Sequence, residues 1–419
     1  MNITIIALGT WGDVQPLLAL AYSIQARGQR VRMVAGANFR AWIEQHGFEA
    51  ATVSLDMQAV MQSTMGNEWI EHGTSPLKQA QVMKKLLNLH GLLMMQETWN
   101  ACQDADALIS GFTSDIYAAS IAEKLRIKQI SALLQPALLA TRNGMASSAA
   151  PFPRRESWFN YLSGKLFLEP FPWRLMGAIN NQFRQQTLGL PAQTRQQNRQ
   201  ALAQMLVVQG YSAEIVPHPA DWPANIHTTG YWFLDAAHDW QPSAALQAFL
   251  AAGEPPIYVG FGSMTGNDPQ ALTRLIVAAV GGRRVVVQTG WAGLGALDLP
   301  ANVFLLDSAP HNWLFARMSA IVHHGGAGTT AASVRAGVPT VIIPHFADQP
   351  FWGRRIAALG IGPQPIPRPK LTAPRLANAL DQALNDPAMR RRAHELGERI
   401  RAENGVQVAD ELIAEFLAA

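Results

Sequence analysis

The sequence predicts two doubly wound α/β domains, and three observations carry that expectation. The chain has 419 residues, more than one ordinary core organises, which points to two domains of roughly 200 residues each. Short apolar strand-like runs alternate with segments of helical periodicity, the pattern of parallel sheets joined by crossover helices. Two such series are separated by "VPHPADWPANIHTTGYW" (216–232), whose three prolines read as a linker. The expected organisation is a domain at 1–215, a linker at 216–240, a second domain at 241–400, and a C-terminal helix at 401–419 that packs back on the first domain. Ligands of such sheets lie in the crevice at the carboxyl ends of the strands.

"NITIIAL" (2–8) is the first strand, and Gly9 to Gly12 turn it into a helix. Val14, Leu17, Leu18, Ala21 and Ile24 keep that helix's apolar spacing. Pro16 is expected in its first turn, where a missing N–H costs nothing. "VRMVAG" (31–36), "ALISG" (107–111) and "KQISALLQ" (128–135) continue the first sheet. The glutamine-rich run 182–204 reads as solvated helix surface. "PPIYVGFGS" (255–263), "RVVVQTGW" (284–291), "VFLLDS" (303–308), "AIVHHGG" (320–326) and "TVIIP" (340–344) make the second sheet, and helical, charge-laced segments follow from about 372.

Hydrophobic residues make up 48% of the chain and charged residues 15%, which excludes a disordered chain. The net charge of +3 is a small arginine surplus rather than a nucleic-acid footprint. Cys102 is the only cysteine, so no intrachain disulfide forms and a reducing compartment fits. No uninterrupted apolar stretch is long enough to span a bilayer, and a strand beginning at Asn2 leaves no room for a signal peptide. A soluble, cytoplasmic protein is expected, with room for peripheral contact with a membrane.

The chemistry concentrates in glycine turns. In "IVHHGGAGTT" (321–330) a strand runs into "GGAG" and then into a helix that Gly337 ends. Glycines let backbone N–H groups approach a ligand, and a helix N-terminus adds unpaired donors and partial positive charge, a combination that suits a diphosphate. The spacing matches neither the dinucleotide nor the ATP fingerprint. His323 and His324 are consecutive on a strand and point to opposite faces, which argues against one shared metal ion; a packed core histidine is the competing reading. Gly262 and Ser263 in "GFGS" present an N–H and a hydroxyl to the same anion, or form an ordinary strand-exit turn. Asp348 and Gln349 offer acceptors and donors for vicinal sugar hydroxyls, or Asp348 is a helix N-cap. Asp13 in "GTWGDVQP" is either an N-cap or a general base, and amide donors with the helix dipole favour a depressed pKa there.

"GTWGDVQPLLALA", "LGLP" (188–191), "DWPANIHTTGYWF" (221–233), "FGSM" (261–264) and "PHNWLFARMSAIVHHGGAGTTAASVRAGVPTVIIPHFADQPFWGRRI" (310–356) resemble the sterol and antibiotic (vancomycin-type) glucosyltransferases of the UDP-glycosyltransferase superfamily. The similarity covers nearly the whole chain, outside the variable regions 57–95 and 141–180. It implies a GT-B fold, two Rossmann-like domains facing a central cleft. It also implies inverting, metal-independent transfer of a hexose, glucose from UDP-glucose, to an acceptor hydroxyl, with no cofactor beyond the nucleotide sugar. Carried across by motif, Asp13 is the general base. His323, the backbone of Gly325, Gly326, Ala327 and Gly328, and the Thr329 hydroxyl hold the donor phosphates, with Gly262 and Ser263 opposite. Asp348 and Gln349 bind the sugar, Trp291, Ala309 and Pro310 stand where the base is recognised, and Thr10 is counted on the donor side. Trp11 replaces the family's usual Arg, and Asn312 stands where many relatives have Asp.

Methionines and aromatics of the variable regions suit a lipophilic acceptor, sterol-like, polyketide or hydroxy-fatty-acyl; Trp11, Met57, Met61, Met83, Phe112, Phe152 and Trp158 are the candidate lining. The same pattern also fits ordinary helix packing. Alternatives are a dTDP- or UDP-deoxysugar transferase, a sugar-nucleotide epimerase and a non-catalytic sugar-nucleotide-binding protein.

Overall fold

The computed structural model describes residues 1–63, 66, 76–234, 240–262, 268–289 and 299–419. Of Gln58, Met61, Gln62, Pro76 and Leu77 it describes the backbone alone. The chain forms two compact units: Met1–Met57, Ala80–Leu234 and Asn404–Ala419 make the first, and Gln58–Gln79 with Asp235–Glu403 make the second.

The first unit is built on a seven-stranded parallel sheet ordered β3-β2-β1-β4-β5-β6-β7. Its strands are β1 (Asn2–Ile6), β2 (Arg30–Gly36), β3 (Glu49–Val53), β4 (Ala107–Ser110), β5 (Lys128–Leu133), β6 (Leu206–Gln209) and β7 (Ile226–Thr228). Alternation along the strands divides two cores, because successive side chains leave a sheet on opposite faces. Ile3 and Ile5, Val31 and Met33, Ala107 and Ile109 face helix α1 (Trp11–Ala26), with Ala409 and Ile413 of a helix at the C-terminus. Ile6, Val34 and Leu108 face the other way. They pack with Ile116, Tyr117 and Ile121 of α2 (Asp115–Leu125) and with Met176 and Phe183 of α3 (Phe171–Phe183). A sheet covered on both faces needs strands that are apolar throughout, which is why they stand out in the sequence.

The second unit has the order β10-β9-β8-β11-β12, again all parallel. Its strands are β8 (Ile257–Gly260), β9 (Val285–Gln288), β10 (Val303–Leu306), β11 (Ala320–His323) and β12 (Thr340–Ile342). Helix α4 (Ala327–Ala336) follows β11, and α5 (Gln349–Ala358) follows β12. In each sheet the strand order reverses next to the first strand, between β1 and β4 and between β8 and β11. Turns leaving the carboxyl ends of such strands diverge and leave room for a ligand.

Several expectations are corrected. Pro16 lies inside α1 rather than in its first turn, because Thr10 and Asp13 start the helix at Trp11; the proline forfeits a bond to the Gly12 carbonyl. The prolines of 216–232 do not make that stretch a free linker: β7 completes the first sheet there, and Trp222, Tyr231 and Trp232 are buried. Strands β3 and β6 were not expected either; β3 has a polar start and β6 has only four residues. In the glutamine-rich run, Arg184 is fully buried and donates to Glu123, Ser120 and the Pro191 carbonyl. Helix α4 begins at Ala327, so Ala327 and Gly328 belong to its first turn and not to the loop before it. The C-terminal helix, α6 (Gly405–Ala418), lies against α1 of the first unit. Lys128 donates to the carbonyls of Phe416 and Leu417 at its end, where unpaired carbonyls attract a cation.

Candidate active site

In the first unit the turn after β1 holds Asp13 by short contacts. Thr10 donates to Asp13 Oδ2 through its backbone N–H at 2.7 Å and its hydroxyl at 3.2 Å, one half of a capping box closing the start of α1. A Cβ on Gly9 would stand 2.2 Å from Asp13 Oδ2, so only glycine lets the carboxylate fold back over the turn. Burial pushes the Asp13 pKa up, while the bonds from Thr10 pull it down less strongly. The expected depressed pKa is therefore wrong in direction: desolvation of the carboxyl outweighs two donors. A raised pKa makes Asp13 a better proton acceptor.

The turn after β4 meets this one, with Thr113 donating to the Leu8 carbonyl at 3.5 Å. Phe112 sits partly buried on the same turn. Trp11 is 43% exposed, its indole edge-on to Phe39 and Trp42 at centroid distances of 5.0 and 4.7 Å. An uncharged indole resting on two aromatics cannot give an anion what a guanidinium would. Asp115, which the sequence did not single out, accepts from Ser110 at 2.6 Å and Ser131 at 2.7 Å. Its burial raises its pKa to about 6.

The remaining acceptor candidates lie on separate segments. Met57 and Met83 are partly buried, on the helices Met57–Gln62 and Pro76–Leu86. Phe152 is partly buried beneath the Arg155 guanidinium at 4.4 Å. Trp158 is exposed and stacks on Tyr161 at 5.0 Å. The Met61 side chain lies outside the described residues, as do Ser263 and Trp291.

In the second unit the turn between β11 and α4 gathers the donor candidates. His323 is fully buried, and its Nδ1 accepts from the Gly325 N–H at 3.0 Å. Burial above all, together with the repulsion that a protonated His324 or His311 would exert, holds its pKa well below the ordinary value. The ring is therefore neutral with its proton on Nε2. That Nε2–H is buried with no hydrogen-bond partner among the described residues, a donor lacking its acceptor. Gly325 has φ +90°, and a Cβ there would lie 2.6 Å from Ile342 Cγ2. A Cβ on Gly326 would lie 2.5 Å from His324 Nε2. Gly326 caps α4, and the Thr330 N–H closes the first helical bond onto its carbonyl. The N–H groups of Ala327, Gly328 and Thr329 consequently have no intrahelical acceptor and lie at the positive end of the helix dipole.

The neighbouring strand ends close on this turn. Gly262, at φ +58°, would place a Cβ 3.2 Å from the His324 ring. Burial lowers the His324 pKa to about 4, so this ring too is neutral. Gln349 is buried, and its Oε1 accepts from the backbone N–H of His345 and Phe346 at 2.8 and 3.2 Å. Asp348 stands at the N-cap position of α5 without capping it, and accepts from Trp352 Nε1 at 2.6 Å. Ala309 and Pro310 are partly buried before the short helix His311–Leu314. The partly buried His311 ring stacks on Phe315 at 4.3 Å, and desolvation lowers its pKa to about 4. His345, also missed by the sequence reading, donates from Nδ1 to the Ile343 carbonyl at 2.9 Å. Burial takes its pKa to about 3. Four neutral histidines thus surround the phosphate-type turn, and only their burial, invisible in sequence, fixes that state. Among the described residues no group of three His, Cys, Asp or Glu is arranged to hold a metal ion.

The chain is a two-domain α/β protein with two parallel sheets of the nucleotide-binding order; one unit carries a helix N-terminus beside an orphaned imidazole donor and the other a half-buried carboxyl. Comparison with known proteins narrows this. Residues 3–140 match the glycosyltransferase family 28 N-terminal domain, and residues 277–415 match the erythromycin biosynthesis protein CIII-like C-terminal domain. Sterol 3-beta-glucosyltransferase of Emericella nidulans is 37% identical over 429 residues, covering 99% of this chain and 30% of the relative. The enzyme of that name from Cryptococcus neoformans var. neoformans serotype D is 36% identical over 441 residues, covering 99% and 27%. The chain thus spans about a third or less of the length of these relatives.

Among solved structures, the glycosyltransferase of kitacinnamycin superposes with a TM-score of 0.70 at 20% identity over 99% of both chains. The calicheamicin glycosyltransferase CalG4 does so with 0.69 at 18%, over 99% of this chain and 98% of that one. These likenesses establish the GT-B fold. The chain therefore carries a stretch like the glycosyltransferase family 28 N-terminal domain and one like the erythromycin biosynthesis protein CIII-like C-terminal domain, and it is similar over 99% of its length to part of the sterol 3-beta-glucosyltransferases.

Proposed function

We propose that this chain transfers a hexose, glucose from UDP-glucose, to a hydroxyl of a lipophilic acceptor, with inversion and without a metal ion. The observation that carries the reading is the buried, unpartnered Nε2–H of His323 beside the open N-terminus of α4. The diphosphate accepts from the amides of Ala327, Gly328 and Thr329 and from His323 Nε2. Asp13 takes the proton of the acceptor hydroxyl, and the oxygen attacks the anomeric carbon on the face opposite the diphosphate. The bond to the β-phosphate oxygen breaks as the new one forms, so the configuration inverts and the negative charge collects where the donors point. Preorganised donors of this kind are worth about 3–4 kcal/mol each in other oxyanion sites. Asp348 and Gln349 hold sugar hydroxyls in this reading, and Phe112, on the turn beside Asp13, contacts the acceptor. The sterol acceptor in the names of the relatives supports a lipophilic substrate.

Asp13→Asn tests the reaction: turnover falls by roughly 10²–10⁴-fold while UDP still binds in a calorimetric titration. Near wild-type turnover in the folded variant would remove Asp13 as the base. A second reading, a dTDP-deoxysugar donor, draws on the erythromycin-type match of the C-terminal segment. UDP binding at least about tenfold tighter than dTDP, near 1.4 kcal/mol, rejects it; the reverse order rejects UDP-glucose.

A further inference from the structure

The first unit displays an apolar face that neither half of the proposed chemistry uses. Along the helical run from Trp158 to Leu168, Trp158, Phe159, Leu162, Leu166 and Phe167 are 58%, 64%, 45%, 53% and 63% exposed. Their spacing of i, i+1, i+4, i+8 and i+9 is that of a helix turning its apolar side outward. Large side chains this exposed and this close together mark an interaction surface.

The run is firmly held from behind. Gly164 lies against Ala140, where a Cβ would come within 2.6 Å of the Ala140 Cα. The buried Asn160 accepts from the Phe152 N–H and donates to the carbonyls of Arg142, Phe152 and Arg155. Asn160 therefore clamps the preceding loop onto the helix, and that loop brings positive charge. Arg142, Arg154, Arg155 and Arg174 are exposed, and the Arg142 guanidinium lies 5.0 Å over the Trp158 ring.

Residues 142–174 hold five basic side chains (those four and Lys165) against two acidic ones, Glu156 and Glu169. That excess of three equals the net charge of the whole chain, +3, so the rest of the protein is balanced. Glu169, moreover, is largely buried and paired with Lys165.

An outward row of Trp, Phe and Leu edged by arginines is the composition of a helix lying in the headgroup region of a bilayer. There aromatic rings settle at the interface and cations meet anionic headgroups. We infer that this face docks the protein on a membrane surface rich in anionic lipid. Among the described residues no helix is long and apolar enough to cross a membrane, so the contact is peripheral.

The test is sedimentation with vesicles of phosphatidylcholine, with and without phosphatidylglycerol, and it needs neither nucleotide sugar nor acceptor, so its result is independent of the proposed reaction. Wild-type protein is expected to pellet with the anionic vesicles at least about tenfold more strongly than with the neutral ones, and less so as salt screens the arginines. Phe159→Ser with Phe167→Ser, and separately Arg154→Glu with Arg155→Glu, are each expected to lose about tenfold or more of that binding at an unchanged melting temperature, since all four side chains are exposed. Wild-type protein that stays in solution with anionic vesicles overturns the inference, as do variants that pellet like wild type. A dimer that Phe159→Ser with Phe167→Ser dissolves, in protein that ignores vesicles, also overturns it and gives the face to a second copy of the chain.

Discussion

At the scale of single residues, burial governs the chemistry more than the charges do. Asp13 receives two hydrogen bonds and sits at a helix start, both of which favour the carboxylate, yet its pKa is raised because the carboxyl is desolvated. Activity that depends on ionised Asp13 therefore falls on the acid side at a pH above the ordinary aspartate range, measurable as the acid limb of a kcat/KM profile. His323 makes the complementary case: kept neutral by burial, it offers one N–H and no charge. Replacing it by alanine is expected to lower kcat by roughly 10²–10³-fold, the scale of one lost oxyanion donor, with the melting temperature measured in parallel to confirm that the fold persists.

At the scale of elements, each candidate turn joins a strand to a helix, and glycines set how closely the backbone and side chains approach there. Gly9→Ala would drive a methyl into Asp13 Oδ2. The carboxylate must swing away, so turnover is expected to fall by about tenfold or more while UDP binding in the second unit is untouched. Gly325→Ala faces both a positive φ and Ile342, and is expected to destabilise the second unit by about 1–3 kcal/mol, seen as a lower midpoint in urea. These turns were legible in sequence because glycine, histidine and a following helix pattern occur together. The start of α4 was not, since whether Ala327 and Gly328 sit in the loop or in the helix depends on where Gly326 places its carbonyl.

At the scale of the molecule, buried acids make stability depend on pH. Asp115 has a folded pKa of about 6 against an ordinary 3.8. The folded state therefore holds its proton more tightly, and this group's contribution, complete below about pH 4, is lost as pH rises through 6. The loss is about 3 kcal/mol. Glu49 and Asp104 are lowered by Arg32 and act in the opposite sense, so the informative quantity is a difference. Urea midpoints of wild type and Asp115→Asn should approach a constant offset below about pH 4 and shift toward greater stability of the variant as pH rises to 7; parallel curves would contradict this.

The sequence by itself determined the two parallel α/β units and the location of the phosphate-type turn. Apolar strands buried on both faces and glycine-to-helix junctions are local, periodic signals, and they survive in one dimension. The tertiary structure alone decided that residues 226–228 form a strand, that Pro16 lies within α1, that four histidines are neutral and that Asp13 is raised. It also decided that Trp158, Phe159 and Phe167 face outward rather than into a core. Each of these depends on which distant side chains remove water from a group, and a sequence pattern does not record that.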